Sequence, residues 1–551
     1  MECAKICRVD HRKARFVSSR IAASALVTVL AATALGGCSV SSAEGADAPS
    51  AEATPAVRAP EDGVLTLVSD DFAELALHAS QALFDRSPVV VLAAVDDAAD
   101  RMTAAATGEA LAAPVLLDGG VIDDAGLRNE LERLGAESVV VVGDEDDVAA
   151  ATDLADGLDV VRFDPEAVSE AAQEAVESVK PGGKGNSVAT GAGPSSSAGT
   201  EVRLPEAGMI NPTRLEALRE QVPEVEDPEQ LSEVMLLIDP AAGQEAAIGT
   251  ARAAGAVPLV VPGGDPGARK DAISRITTAD PLGVVAIGPG FTDQDRLTWQ
   301  VEAARRGVTY PHGTQRLAGE TYVATSFAVP AGADPALTAP AAAEAGEVAG
   351  AYGGVPVVSV AASVRSPGPG ADGDHVDPVP VEDLTAAVNT LREAGVVVLL
   401  DVEPGNRPLA AQIDTLEPLL ARPGVGLALH PEFRVAGNGA TVEGQVAVAE
   451  LQAVVDRVAG IVSAQGLPQT MVVVHQSTAS SVTDRASLRS RAEVATVFAA
   501  AGPTEGGTTA TGVWYDVTSG LPDGAAVGWA GPSAGAIPPA DPVAPLLITT
   551  D

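Results

Sequence analysis

Unbroken apolar runs of strand length alternate with amphipathic helical segments along most of this chain. Val64–Val68, Val89–Ala93, Val115–Leu117, Val139–Val142 and Val160–Phe163 are such runs. A strand buried on one face alternates polar with apolar, whereas one buried on both reads as continuous Val, Leu and Ile. Between the runs lie helical stripes. Phe72, Leu75, Ala76, Ala79 and Leu83 form one; Leu127, Leu131 and Leu134 form another, with Asp123 as its cap. Alternating strands and helices predict parallel sheets joined by right-handed crossovers. The pattern recurs from Leu231 to Tyr310, with runs at Val234–Asp239, Pro258–Val261, Val284–Gly288 and Val308–Tyr310. A helix there carries Ala247, Thr250, Ala251 and Ala254.

From Tyr322 onward the alternation lengthens. The runs are Tyr322–Ala328, Val355–Val364, Val396–Val402, Val425–Leu429, Met471–His475, Val494–Phe498 and Val513–Val517, with Gly528–Gly531 as a weaker eighth. Leu384, Ala387, Val388 and Leu391 mark one helix between them. Leu409, Ile413, Leu416 and Leu420 mark another, and Leu451, Val454, Val455, Val458 and Val462 a third. Seven or eight parallel strands suit a (β/α)₈ barrel, with a doubly wound sheet as the rival. The expected class is therefore α/β: one or two Rossmann-like parallel-sheet domains followed by a (β/α)₈-barrel-like domain. The glycine-rich turn Pro262–Gly267 has no GxGxxG spacing and no Walker lysine, and reads as a tight strand-to-helix turn. Asp144–Asp147 reads as an acidic helix start.

Composition narrows the partners. With 551 residues, 46% hydrophobic but 3% aromatic, the cores must be built from Val, Leu, Ile and Ala. A formal charge of −41 repels phosphates and argues against nucleic acid. Three cysteines make neither a disulfide framework nor a zinc signature.

The amino terminus combines Lys5, Arg8, Arg12, Lys13, Arg15 and Arg20 with an uncharged run from Ile21 to Leu35. That run is too short to span a bilayer and reads as an export signal. Leu35-Gly36-Gly37-Cys38 resembles the bacterial lipoprotein signal, with Gly36 a less usual residue for its slot. The resemblance implies that Cys38 is acylated and becomes the first residue. The protein would then sit on the extracytoplasmic face of the cell membrane through a lipid anchor. Cys3 and Cys7 lie in the removed segment, which leaves Cys38 as the single thiol. Ser39–Pro60 is a tether rich in Ser, Ala, Pro and Glu. Beyond the signal the only lysines are Lys180, Lys184 and Lys270; arginine is used elsewhere, which fits a GC-rich, actinobacterial source.

Leu111–Asp144 resembles the type 2 cell wall-binding repeat. Asp100, Ala113-Pro114, Leu131, Arg133-Leu134-Gly135 and Val139–Gly143 fill its slots, while Arg101-Met102 and Asp144 depart from it. The repeat usually occurs in three copies that hold anionic wall polymers, and one clear copy is present here. The resemblance implies a cell wall polymer or peptidoglycan as partner. The expected division is a signal peptide (1–37), lipidated cysteine and tether (38–60), repeat-like α/β domain (61–179), flexible linker (180–204), second α/β domain (205–318) and barrel-like domain (319–551).

Barrel chemistry collects at the carboxyl ends of strands. Asp401 and Glu403 end one run, His430 and Glu432 the next, His475 and Gln476 the one after, and Trp514, Tyr515 and Asp516 a fourth. Asp401 and Glu403, two apart on a strand, face the same side. Paired carboxylates can flank a glycosidic bond, with a histidine assisting proton transfer. Asp401, Glu403, Glu432 and His475 are the catalytic candidates; His430, Gln476, Trp514 and Tyr515 the substrate-binding ones. The bland alternative is that these groups bond to each other and close the mouth. His430 and His475 with Asp401 or Glu432 could hold zinc, and Asp372, Asp374 and Asp377 calcium. The stretches GVVVLLDVEPGN, VGLALHPEFR, LPQTMVVVHQ and PGADGD resemble the carboxyl-terminal region of actinobacterial envelope lipoproteins that carry the same repeat. Those relatives tend to have Asp-Pro-Glu-Trp where this chain has His430-Pro431-Glu432-Phe433, and an aromatic residue at Ser477. The expected function is an extracytoplasmic lipoprotein that binds or organises wall material. A wall glycoside hydrolase and a solute-binding lipoprotein are the alternatives.

Overall fold

A computed structural model describes residues 54–61, 63–164, 204–224, 231–330, 332, 334–366, 368–370, 373–435, 444–501, 510–530 and 543–550. The signal peptide, Cys38, most of the tether, the 180–204 linker up to residue 203, and Asp372 lie outside them.

Eight strands close into an all-parallel barrel in chain order: Tyr322–Phe327, Val355–Ala361, Val397–Val402, Val425–Leu429, Thr470–Gln476, Val494–Ala500, Ala526–Ala530 and Leu547–Thr550. Strand side chains alternate, which explains the unbroken apolar runs. Val398, Leu400 and Val402 face outward, into one core with Leu384 and Val388 of helix Val381–Glu393 and with Leu451 and Val455 of helix Val448–Ala464. Val397, Leu399, Ala428, Met471 and Val473 face inward and fill the barrel. Tyr322 plugs its lower end together with Tyr310 and Leu317, which precede the first strand. The large inward residues thus occupy the amino-terminal end, leaving the carboxyl-terminal mouth to polar ones.

Two expectations for the barrel need correction. Val513–Val517 is not a strand but part of helix Ala510–Thr518. Val and aromatic residues favour strands locally, but here Val513, Trp514 and Val517 share a buried face while Tyr515 is exposed, a helical period. Ala526–Ala530 is consequently the seventh strand, and Leu547–Thr550, which no expected run covered, is the eighth. Val308–Tyr310 forms no strand.

Two four-stranded parallel sheets precede the barrel. One has the order Val115–Asp118, Val89–Ala94, Ser138–Val142, Asp159–Phe163. The other has the order Val64–Leu67, Gly283–Ile287, Val234–Ile238, Val257–Val260. The first strand therefore leaves its sequence neighbours and pairs with Gly283–Ile287, more than two hundred residues on. The chain crosses back through helix Phe72–Leu83, and the two sheets share a core that includes Leu75, Ala79, Leu92, Leu236 and Ala247.

Two helices, Ala98–Leu111 and Glu245–Ala253, join the sheets by close backbone approach. A Cβ on Gly249 would lie 2.6 Å from the Cα of Ala105. Val115 N donates to Thr250 Oγ1 at 2.9 Å. Arg101, one of the departures from the repeat pattern, is buried and pairs with Glu245 of the other sheet's helix at 3.2 Å. Gly249→Val should push these helices apart and cost about 1–3 kcal/mol of unfolding free energy, as overpacking of tight cores does. Urea titration of the purified protein measures this, and an unchanged midpoint would disprove the close approach.

A helix of the second sheet region, Gln294–Arg306, supports the barrel. Its Trp299 joins the outer barrel core and donates from Nε1 to Leu467 O at 2.9 Å. The expected helix at Asp144–Asp147 forms with a full capping box. Among the described residues no helix is long and apolar enough to cross a membrane.

Candidate functional site at the barrel mouth

Three neighbouring strands deliver the ionisable groups. Val397–Val402 alternates inward residues Val397, Leu399 and Asp401, so Asp401 stands above the apolar filling at the mouth. Glu403 follows with the same parity. Val425–Leu429 ends in His430 and then turns through a 3₁₀ segment, Pro431–Phe433, that brings Glu432 back towards the ring. Thr470–Gln476 brings His475 in on the same side as Val473.

His430 is the hub. Its Nε2 lies 3.0 Å from Asp401 Oδ1, and its Nδ1 lies 2.9 Å from Glu432 Oε1. The ring is sandwiched. His475 stacks on it with centroids 4.4 Å apart, and Phe433 stacks at 5.3 Å. The other oxygen of Asp401 accepts from Ser359 Oγ at 3.0 Å. Glu403 is fixed through its backbone, its N–H donating to Ser363 Oγ at 3.0 Å. Ser363 belongs to the antiparallel hairpin Ser363–Arg365 with Val376–Pro378, which also holds Arg365 over the Phe433 ring at 5.6 Å. Glu403 Oε2 and Glu432 Oε2 are both buried with no hydrogen-bond partner.

Burial opposes every charge here, and the pairing decides which charges survive. At His430 burial is the largest influence and favours the neutral ring. Asp401 and Glu432 together outweigh it and hold the imidazole well above its ordinary value. Asp401 is also opposed by burial, yet His430, His475 and Ser359 hold it below its ordinary value. Burial wins at His475, with the charge of His430 adding to it, and the ring is pushed down to about 3. Glu403 and Glu432 are both raised, chiefly by burial; nearby Asp401 adds to this and His430 opposes it. The resting arrangement is thus an ionised Asp401, a charged His430, a neutral His475 and two carboxyls that keep protons more readily than exposed ones. Environments that drive neighbouring carboxyls apart in this way set up acid and base roles.

Both ring nitrogens of His430 are taken up by carboxylates, Nε2 by Asp401 and Nδ1 by Glu432. Among the described residues no group of three His, Cys, Asp or Glu is disposed to hold a metal ion. Asp374 is already engaged, accepting from Val376 N at 3.0 Å and facing Arg407 at 3.3 Å; Asp377 is exposed.

The mouth brings together Asp401, Glu403, His430, Glu432 and His475. Gln476, Trp514 and Tyr515 are placed elsewhere. Gln476 has the outward parity and accepts from Arg485 Nη1 at 2.9 Å, which pins the following loop. Trp514 is buried in the outer core, edge-on to Trp529 at 5.9 Å. Tyr515 lies on the outer face of its helix, 52% exposed. Sequence reasoning missed Ser359, Ser363, Arg365 and Phe433. Ser359 was the traceable one: a lone polar residue inside the run VPVVSVA, two residues above inward-facing Val357.

No family model and no curated protein matches this chain. Among solved structures, Cwp6 from Clostridium difficile is similar at 14% identity and a TM-score of 0.29, covering 65% of each chain. Cwp8 from Clostridium difficile is similar at 14% identity and a TM-score of 0.19, covering 48% of this chain and 40% of the other. This chain therefore spans less than two thirds of either structure. At such TM-scores neither likeness decides fold or function, and the site stands on its own residues.

Proposed function

We propose that the chain is an extracytoplasmic lipoprotein, anchored through Cys38, that binds wall glycan at the barrel mouth. The observation that carries this is the pair of buried, unpartnered oxygens, Glu403 Oε2 and Glu432 Oε2. Leaving such atoms unsatisfied is costly, and a ligand rich in hydroxyl donors satisfies them. The leader ending in Leu35-Gly36-Gly37-Cys38 and the repeat-like segment Leu111–Asp144 support the location and the wall as partner. The test has two arms. Mature protein mixed with purified wall sacculi should sediment with them and be released by soluble glycan fragments; recovery in the supernatant would overturn the binding. Cys38→Ser should shift the protein from the membrane fraction to the medium, and mass spectrometry of the native chain should find acyl mass on Cys38.

A second reading, glycan hydrolysis, is favoured by one further feature. Asp401 and Glu403 lie on the same face of one strand end, the first held below its ordinary value by His430 and the second raised above its own by burial. This is the division of labour that cleavage of a glycosidic bond needs. Release of new reducing ends from sacculi measures it.

A further inference from the structure

We propose that the polymer held at this mouth carries a short peptide arm, apolar along its length and ending in a carboxylate, and that the arm lies in a cavity beside Glu403. This rests on the wall-binding reading and deepens it, because it makes the partner a peptide-substituted glycan and not a bare one.

The cavity has a volume of about 430 Å³, within the range of sites that take small molecules. Its floor is Ala362, Val376, Val402 and Leu416, all buried. Val402 stands between Asp401 and Glu403 and points to the opposite face of the strand end. Ser363, whose hydroxyl accepts from Glu403 N, lines the cavity as well. A strand rises about 3.3 Å per residue, so a single residue's rise separates the strand-end groups of the two sites. An arm branching from a sugar seated at the mouth reaches the cavity by crossing the rim made by Ser363 and Glu403.

The lining says what the arm is. Short aliphatic side chains on the floor match methyl-sized substituents. A second sugar ring would leave hydroxyls unsatisfied against Val and Leu, which is costly. The wall carries an ion pair, Arg407 Nη1 at 3.3 Å from Asp374 Oδ2. Asp374 is covered, with its side chain 6% exposed and its other oxygen accepting from Val376 N, whereas the Arg407 side chain is 45% exposed. The pair thus turns its positive member to solvent. A guanidinium presents five donors in a fork that matches a carboxylate, and the contact with Asp374 is made through Nη1. On a chain of formal charge −41 this is a place that draws in an anionic group which the net field repels.

The experiment uses the mature chain and sacculi in three forms: intact, stripped of peptide by an amidase that cuts between glycan and peptide, and intact with the peptide carboxylates amidated. The parent protein should be retained on intact sacculi and held roughly tenfold more weakly on both altered forms, the scale of losing one anchor. Ala411 lies on the exposed rim of the cavity, in helix Leu409–Ile413. Ala411→Trp fills the entrance. It should weaken retention on intact sacculi to the same degree, with no further loss on stripped ones and an unchanged urea midpoint. If the variant is less stable, the stripped and amidated sacculi decide alone. Equal retention of the parent on intact and stripped sacculi overturns the arm and leaves glycan binding at the mouth standing. Weaker retention on stripped but not on amidated sacculi overturns the role given to the carboxylate and to Arg407. Retention on none of the three removes the wall-binding reading and this inference with it.

Discussion

Glu403→Gln should lower glycan turnover by roughly 10²–10⁴-fold, the range a positioned general acid supplies, while retention on sacculi stays close to that of the parent protein. The amide keeps the shape and can still bond to a sugar hydroxyl, but has no acidic proton to give. Its placement should survive because Glu403 is tied to Ser363 through its backbone N–H, not its carboxyl. The pH profile gives a sharper reading. Glu403 must be protonated to act, so activity falls as pH rises through its raised value, and the alkaline limb lies above the usual carboxylate range. Asp401 must be ionised, so the acid limb lies below its ordinary value. The Gln variant should lose the alkaline limb along with its rate. Turnover unaltered in both Glu403→Gln and Asp401→Asn would take these two residues out of the mechanism.

The barrel was legible because its strands are buried on both faces. Inside sit Val397, Leu399 and Val473; outside, Val398, Leu400 and the helices, so the runs that carry the site residues have no polar interruption until the mouth. The first polar residues after such runs are therefore the site residues, and Asp401, Glu403, His430, Glu432 and His475 are readable from the sequence alone. What could not be read was the pairing among them. That His430 lies between two carboxylates depends on a 3₁₀ turn at Pro431–Phe433, and Phe433 then becomes the ring's stacking partner rather than a core residue. Val64–Leu67 was misplaced for the opposite reason. A short apolar run carries no information about which sheet receives it, and the long-range pairing with Gly283–Ile287 is set by the shared core of the two sheets. Trp514 shows local propensity overruled by packing: a strand-favouring residue whose buried surface is completed only on a helix.

Removing the hub should be the most damaging single change to the mouth. His430→Ala leaves Asp401 and Glu432 facing one another with no cation between them, and deleting one partner of a buried ionic arrangement costs about 3–5 kcal/mol. The sign of its pH dependence separates charge from packing. In the parent protein His430 has a raised value. Its contribution is complete below the ordinary histidine value of about 6.5 and is lost only as pH rises through the folded one. Asp401 is lowered, so its contribution is present above its ordinary value and is lost as pH falls through the folded one. In the variant both carboxyls lack their counter-charge and relieve the strain by taking up protons. The deficit should accordingly be smaller near pH 4.5 than near pH 7. His475 stays neutral in the folded state across this window, because it is pushed down to about 3. Its protonation on unfolding opposes folding at acid pH in both proteins, less so in the variant, where the charge of His430 no longer adds to burial, and this trims the deficit further at the acid end. Urea unfolding at several pH values measures the trend. A deficit of the same size at pH 4.5 and pH 7 would mean that His430 serves chiefly as the middle ring of the stack between His475 and Phe433, and that its charge holds nothing together.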